Sequence, residues 1–390
     1  MINNYRNYFS KCAAAGLCLS MLSLTSCGVI EMRDAAEEVT RGEADTTMML
    51  APAERANNVE IRTEEQHQFE IIKKEEAPKT VVSLAAAGDV RIDEAIIADA
   101  ANRAAEGSTY SFLKIYSGVY RTIHDADLAV GNYSAAAAPY TPDGSTDRNQ
   151  TTPIESLAAL AELGFEVLDT TGADRSADYP QDMSEYGIAD IHSEKRTEDG
   201  VYFVEREGIT IAFLAADGSV KNKMVSNIEY ADSAADVVVV SADWKSGTSD
   251  KQKKNLAGTM AKAGADIILG SGETLGGAEW LDTGDGSPAL AVYSLGNFVA
   301  TAETAENLCG GILSLDITLC EGEITLENVC IDPIIMHYNE GNRNYQIFGL
   351  NSYTDDISAM HAVGGLDVAV LTDKVSNLLN GGFLPADFLN

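Results

Sequence analysis

Basic side chains are scarce in this chain. Its 390 residues hold 27 Lys and Arg against 60 Asp and Glu, a net charge of −33. That balance argues against nucleic acid as a partner, because such binding depends on neutralising phosphates with Lys and Arg. The surplus acid reads as a solvated surface. Long apolar runs are also missing. Beyond the first two dozen residues, no stretch is long and apolar enough to cross a bilayer. Cysteine is rare, with 6 in all, and none stands in the CxxC spacing of structural zinc. There is no internal repeat.

The N-terminus has the pattern of a targeting segment. Arg6 and Lys11 form a positive region, and Ala13 to Leu24 a short apolar one. It ends in Leu24-Thr25-Ser26-Cys27-Gly28, which resembles the bacterial lipobox. The resemblance implies a lipoprotein signal peptide over residues 1–26 and a lipid on Cys27. The expected location is the outer face of a bacterial cell membrane, lipid-anchored. Cys12 and Cys18 would leave with the signal. Cys309, Cys320 and Cys330 remain, and they read as small buried apolar side chains. An exported protein is free to form disulfides. Cys320 and Cys330, however, flank Glu321-Gly322-Glu323 at offsets that do not place them opposite each other.

Residues 27–79 are rich in Glu, Asp, Thr, Ala and Arg and carry no sustained apolar period before Phe69-Glu70-Ile71-Ile72. Such composition reads as an acidic disordered tether. From residue 80 the chain alternates strand and helix patterns, the mark of an α/β fold with a partly parallel sheet. Helices are expected over Asp93–Ala105, Tyr110–His124, Pro153–Leu163 and Ser249–Ala263. Glu205-Arg206-Glu207-Gly208 joins two strands as a hairpin, and Ile312–Thr318 with Ile324–Ile331 form a second antiparallel pair. A domain over 80–340 is followed by a helical extension over 341–390.

The strands stop on acidic or amide side chains. The run from Val81 to Gly88 stops at Asp89, and that from Ala126 to Gly131 at Asn132. The run from Phe165 to Leu168 opens on Asp169 and, a little later, Asp174. Val237 to Ala242 stops at Asp243, Ile267 to Gly270 leads to Glu273, and Val292 to Gly296 leads to Asn297. Continuous β-branched runs belong to strands buried on both faces. Ligands of open α/β sheets bind beyond the carboxyl ends of such strands. Carboxylates converging there repel one another unless a cation or protons intervene.

These strings, in this order, resemble the CapA family of capsule or poly-γ-glutamate synthesis proteins. The matching text includes Ala87-Gly88-Asp89-Val90, Asp125 to Asn132, Leu163 to Val167, Gly208 to Leu214, Ala235 to Ser241, Ala263 to Gly270 and Tyr293 to Val299. The resemblance implies a metallophosphatase-like (calcineurin-like phosphoesterase) α/β/β/α sandwich with mixed sheets. It covers about residues 80–340. The departures fall on the chemistry. Gly172-Ala173-Asp174 stands where the family carries Asn-Asn-His, and Asp243-Trp244-Lys245 where it carries His-Trp-Gly. Gly270-Ser271-Gly272-Glu273-Thr274 replaces Gly-His-His-Pro-His, and Ser134 replaces a Glu. None of the 5 histidines falls at a motif position.

Two readings of the strand ends stand open. Asp89, Asn132, Asp174, Asp243 and Glu273 form an all-oxygen site for Mg²⁺, Ca²⁺ or Mn²⁺. Alternatively no cofactor is bound, the metal centre has decayed, and Asp and Gly stand there because turns favour them. Ser241 and Ser271 are nucleophile candidates without a motif histidine to activate them. Asn297 reads as a loop-holding side chain. Three functions follow as expectations. The first is a lipid-anchored, non-catalytic accessory protein working with surface-polymer synthesis machinery. The second is a metal-dependent hydrolase of the phosphoesterase type. The third is a surface binding module that uses the fold alone.

Overall fold

The computed structural model describes residues 77–390 apart from 135, 139–150, 172–182, 194, 217–220, 246, 285, 380–381, 387 and 389–390. The signal segment, Cys27, nearly all of the tether and Asp174 therefore lie outside the described residues. Lys79–Asn390 form one unit.

Sixteen strands can be numbered among the described residues. They begin with β1 (Lys79–Val90), β2 (Leu128–Tyr133), β3 (Ala136–Ala138), β4 (Thr151–Pro153), β5 (Phe165–Asp169) and β6 (Ala189–Asp190). Next come β7 (Tyr202–Arg206), β8 (Ile209–Ala216), β9 (Val237–Ala242), β10 (Ile267–Gly270), β11 (Ala278–Leu281) and β12 (Ala289–Val292). The last are β13 (Asn297–Val299), β14 (Cys309–Cys320), β15 (Glu323–Asn339) and β16 (Arg343–Gly349). One sheet runs β16-β15-β14-β1-β2-β5-β6, with β13 beside the end of β1. A second runs β11-β12-β10-β9-β8-β7, and β3 pairs with β4. Both large sheets are mixed. In the first, β1, β2, β5 and β6 are parallel while β14, β15 and β16 are antiparallel to their neighbours. In the second, β8, β9, β10 and β12 are parallel, with β7 and β11 antiparallel at the edges.

The helices are α1 (Glu94–Asn102), α2 (Tyr120–His124), α3 (Glu155–Leu163), α4 (Lys221–Asp232), α5 (Asp250–Lys262), α6 (Ala305–Leu308), α7 (Asp355–Ser358) and α8 (Val368–Leu378). Side chains alternate across a strand, and the second sheet shows what each face buries. Ile211, Phe213, Val237, Val239, Ile267, Leu290 and Val292 join the main core with the first sheet. Their alternates Ala212, Leu214, Val238, Val240, Ile268, Ala289 and Ala291 pack with Met224 and Ile228 of α4 and Met260 of α5 in a separate core. Ile96 of α1 and Leu157 and Leu160 of α3 cover the first sheet. The result is the α/β/β/α sandwich with mixed sheets that the family resemblance implies.

Three expectations need correction. The helix expected over Tyr110–His124 is a 3-10 turn at Leu113–Tyr116 followed by the short α2. At Gly118 a Cβ would stand 2.2 Å from the Ile347 carbonyl oxygen. The chain there runs against β16 instead of continuing as a helix. Pro153 ends β4, so α3 begins two residues later and closes on Gly164, whose φ of 117° needs glycine. The boundary at 340 falls inside a sheet. Residues 341–390 supply β16, which pairs with β15, and Tyr345, Ile347, Tyr353 and Leu379 are fully or almost fully buried in the main core. An unpaired β15 would leave backbone groups and apolar side chains uncovered. Two short helices, α7 and α8, complete that segment.

Candidate functional site

The strand-end site begins with a backbone irregularity. On β1, Ala86 pairs with Val130 and Asp89 with Asn132, so two residues, Ala87 and Gly88, oppose the single Gly131 on β2. Such a bulge re-aims the side chain that follows it. Gly88 is required there, because a Cβ would meet the Gly296 carbonyl oxygen at 2.0 Å. The Asp89 amide donates to that same oxygen at 2.9 Å.

Beyond the bulge, four polar residues stand abreast on four neighbouring strands. Asn297 of β13 pairs with Asp89 of β1, Asp89 with Asn132 of β2, and Asn132 with Asp169 of β5. Asp89 is buried, and its Oδ1 accepts from Asn132 Nδ2 at 2.7 Å. Burial lifts the Asp89 carboxyl above its ordinary value; the Arg91 charge and the hydrogen bonds from Asn132 and Arg91 offset part of this, while the nearby Asp169 adds to it. Asn297 Nδ2 donates to the carbonyls of Glu273 and Asn307 at 3.1 and 3.0 Å, which holds two loops together.

Arg91 occupies the place where a cation would serve these acids. Its Nη2 lies 3.4 Å from Asp89 Oδ2 and its Nη1 2.5 Å from Glu273 Oε1. Asp243 stands apart from this group, and Lys245 Nζ pairs with it at 2.9 Å. Asp89 and Glu273 are thus bridged by Arg91, and Asn132 joins them through Asp89, whereas Asp243 opens on a different cleft. Two buried amide oxygens, Asn132 Oδ1 and Asn297 Oδ1, have no hydrogen-bond donor. They are suited to a cation, but the Asp89 and Glu273 carboxylates beside them are already matched by the Arg91 guanidinium. Among the described residues, no group of three His, Cys, Asp or Glu is placed to hold a metal ion. The described donor set does not fit a dinuclear metal centre. The cavity that Asp89, Asn132 and Asp169 line between the sheets measures about 50 Å³. That admits a water or two and no substrate.

Next to this row lies a cluster that sequence reading did not assemble. Asp169 is buried, and its Oδ1 accepts from His192 Nε2 at 2.8 Å, Thr171 N at 2.7 Å and Thr171 Oγ1 at 2.6 Å. Its Oδ2 accepts from Ser241 Oγ of β9, which ties the two sheets together. Burial alone would push the Asp169 carboxyl up. The hydrogen bonds from His192, Ser241 and Thr171 and the adjacent imidazole outweigh it and hold the carboxyl below the ordinary range. Arg196 Nη1 lies 3.2 Å from His192 Nδ1. Because a guanidinium only donates, Nδ1 accepts, and the imidazole proton sits on Nε2 facing Asp169. Ser241 is bound to the carboxylate and not to the imidazole, so the three do not form a nucleophilic triad.

Asp169 and His192 are 23 positions apart, and β6 brings them together by pairing with β5. No motif announces this. The signal was the short segment Ile188-Ala189-Asp190-Ile191-His192, another apolar run ending on a polar side chain.

Fold and site together define a layered α/β protein with a polar row at parallel strand ends, closed by its own arginine. Residues 83–302, more than half of the chain, match the family model for the bacterial capsule synthesis protein PGA_cap, and the chain belongs to that family. No curated protein sequence matches it. Among solved structures it is similar to the calcineurin-like phosphoesterase YfkN from Bacillus subtilis, at 10% identity over 78% of this chain and 99% of that one, with a TM-score of 0.36. A second similarity, at 9% identity over 42% and 81% of the two chains and a TM-score of 0.22, is to the protein of unknown function AQ665 from Aquifex aeolicus. Similarities at these scores carry no argument about function.

Proposed function

We propose that this chain is an accessory protein of capsule synthesis, anchored by a lipid on Cys27 at the outer face of the cell membrane and without the metal-dependent hydrolysis of a phosphoesterase. One observation carries the reading: Arg91 spans Asp89 and Glu273. A divalent cation entering there would have to displace a guanidinium or sit beside it, against a like charge that solvent screens only in part. The missing imidazoles support the same reading, since they supply both transition-metal ligands and proton transfer. Family membership supports the link to capsule synthesis, and the Leu24-Thr25-Ser26-Cys27 string supports the anchor. Among the described residues, no helix is long and apolar enough to cross a membrane. The expected partners are the surface-polymer synthesis machinery and the membrane that holds the lipid.

A second reading rests on the two buried amide oxygens without donors. With Asp89 they offer an oxygen-only seat for Mg²⁺, Ca²⁺ or Mn²⁺, and a hydrolase would follow from it. Calorimetric titration of the purified protein with Mg²⁺, Ca²⁺, Mn²⁺ and Zn²⁺ separates the two. The accessory reading expects no stoichiometric binding at about millimolar metal. Stoichiometric binding that Asp89→Asn abolishes would establish the second reading in its place.

A further inference from the structure

We propose that the cleft beside His192 binds a small hydroxylated anion, a sugar phosphate or a sugar acid. This goes beyond the accessory role and needs no metal. The cleft has a volume of about 380 Å³, room for a monosaccharide-sized ligand, whereas the cavity under Asp89 has about 50 Å³. It opens at the carboxyl ends of β5, β8 and β9, the place where open α/β sheets bind ligands.

Its wall is built from the inside outward. Asp169 is buried and fixes the ring of His192 by accepting a hydrogen bond from Nε2–H, so that Nδ1 is turned toward Arg196 at the cleft. Orienting an imidazole through a buried carboxylate is how proteins present one chosen ring nitrogen to a ligand. Among the described residues, the Arg196 guanidinium hydrogen-bonds to this ring nitrogen and to no acid, and Lys223 pairs with no acid. Lys223 and Asn227 stand four apart on α4, hence on one face, and both line the cleft. A guanidinium, an ammonium and an imidazole therefore converge on one space. In a chain with 60 acids against 27 Lys and Arg, two cations with no carboxylate partner among the described residues leave this cleft positive groups that an anion can use. An arginine fork suits phosphate and carboxylate alike.

The cleft also has an acidic side. Glu198, Asp199 and Asp243, the last held by Lys245, also line the cleft. A bare polyanion would be repelled there. A ligand with one anionic group and several hydroxyls satisfies both sides, because hydroxyls donate to carboxylates.

The test uses the full chain and three probes: glucose 6-phosphate, glucuronate and inorganic phosphate. Calorimetry should show binding of glucose 6-phosphate or glucuronate with a dissociation constant of about 1 mM or tighter. Arg196→Gln and Lys223→Gln, both at exposed positions and not expected to impair folding, should each weaken it about tenfold or more. His192→Gln should weaken it too, and a thermal melt of that variant checks that Asp169 is still accommodated. Which of the two sugar probes binds tells phosphate from carboxylate as the recognised group. Inorganic phosphate binding as tightly as glucose 6-phosphate would overturn the hydroxyl half of the proposal. No binding of any probe at about 10 mM, or binding indifferent to both surface substitutions, would overturn the whole.

Discussion

Gly88 and Arg91 decide what the strand-end site is. Gly88 allows the bulge that aims Asp89, and the Gly296 carbonyl oxygen fills the space where any side chain would begin. Gly88→Ala should therefore cost about 3 kcal/mol or more, through overpacking against backbone that cannot move aside. A urea titration measures it, and a loss below about 0.5 kcal/mol would mean that the bulge relaxes freely. Asp89 and Asn132 were legible from the sequence because each ends a long apolar run. Nothing local in the sequence marks Arg91 as a partner for Glu273, 182 positions away. His192 was invisible for the same reason: its partner lies across a strand pair, and imidazoles are recognised in sequence only when spacing repeats a motif.

The strands were the most readable elements, since runs such as Val237-Val238-Val239-Val240 suit little but a strand buried on both faces. Each such side chain, fully buried, contributes about 1.5–3 kcal/mol. The segment Tyr110–His124 misled because its apolar spacing serves a turn and a short helix equally well, and only the approach of β16 to Gly118 separates the two. Strand β15 carries a consequence of its own. His337 lies on it and His361 packs beside it, with ring centroids 5.0 Å apart and both side chains buried. Tyr353 and Asn339 hydrogen-bond to His337, and His361 contacts the Met336 carbonyl. Burial holds both imidazoles below the ordinary value of 6.5, and His337 adds to the effect on His361. The folded protein keeps them neutral while the unfolded chain protonates. Their contribution is present above about pH 6.5 and is lost as pH falls below it. The urea midpoint should drop between about pH 7 and about pH 5.5, and His361→Gln should flatten that drop. An unchanged slope would show that other groups govern it.

At the scale of the molecule, the described residues after 340 belong to the sandwich. Asp99 of α1 accepts from the amides of Asn344 and Tyr345 at 2.8 and 3.0 Å, so the first helix clamps the last strand. A chain ending at residue 340 should lose its cooperative unfolding transition, because β15 would be left without its neighbour and Asp99 without its two backbone donors. A truncated monomer with the parent's near-ultraviolet dichroism would contradict this. The sequence suggested a boundary there because the family resemblance stops near it, and resemblance tracks shared text and not packing. The central claim is that Arg91 serves as the cation for the Asp89 and Glu273 carboxylates. Thermal melts of the parent and of Arg91→Gln, each with and without about millimolar Mn²⁺, Mg²⁺ or Ca²⁺, test it most directly. The account predicts no metal-dependent shift in the parent. In Arg91→Gln it predicts a lowered midpoint that the metal restores, since Asp89, Glu273 and the two unsatisfied amide oxygens would then face one another without a charge between them. A parent protein whose midpoint rises with metal as much as the variant's would contradict it.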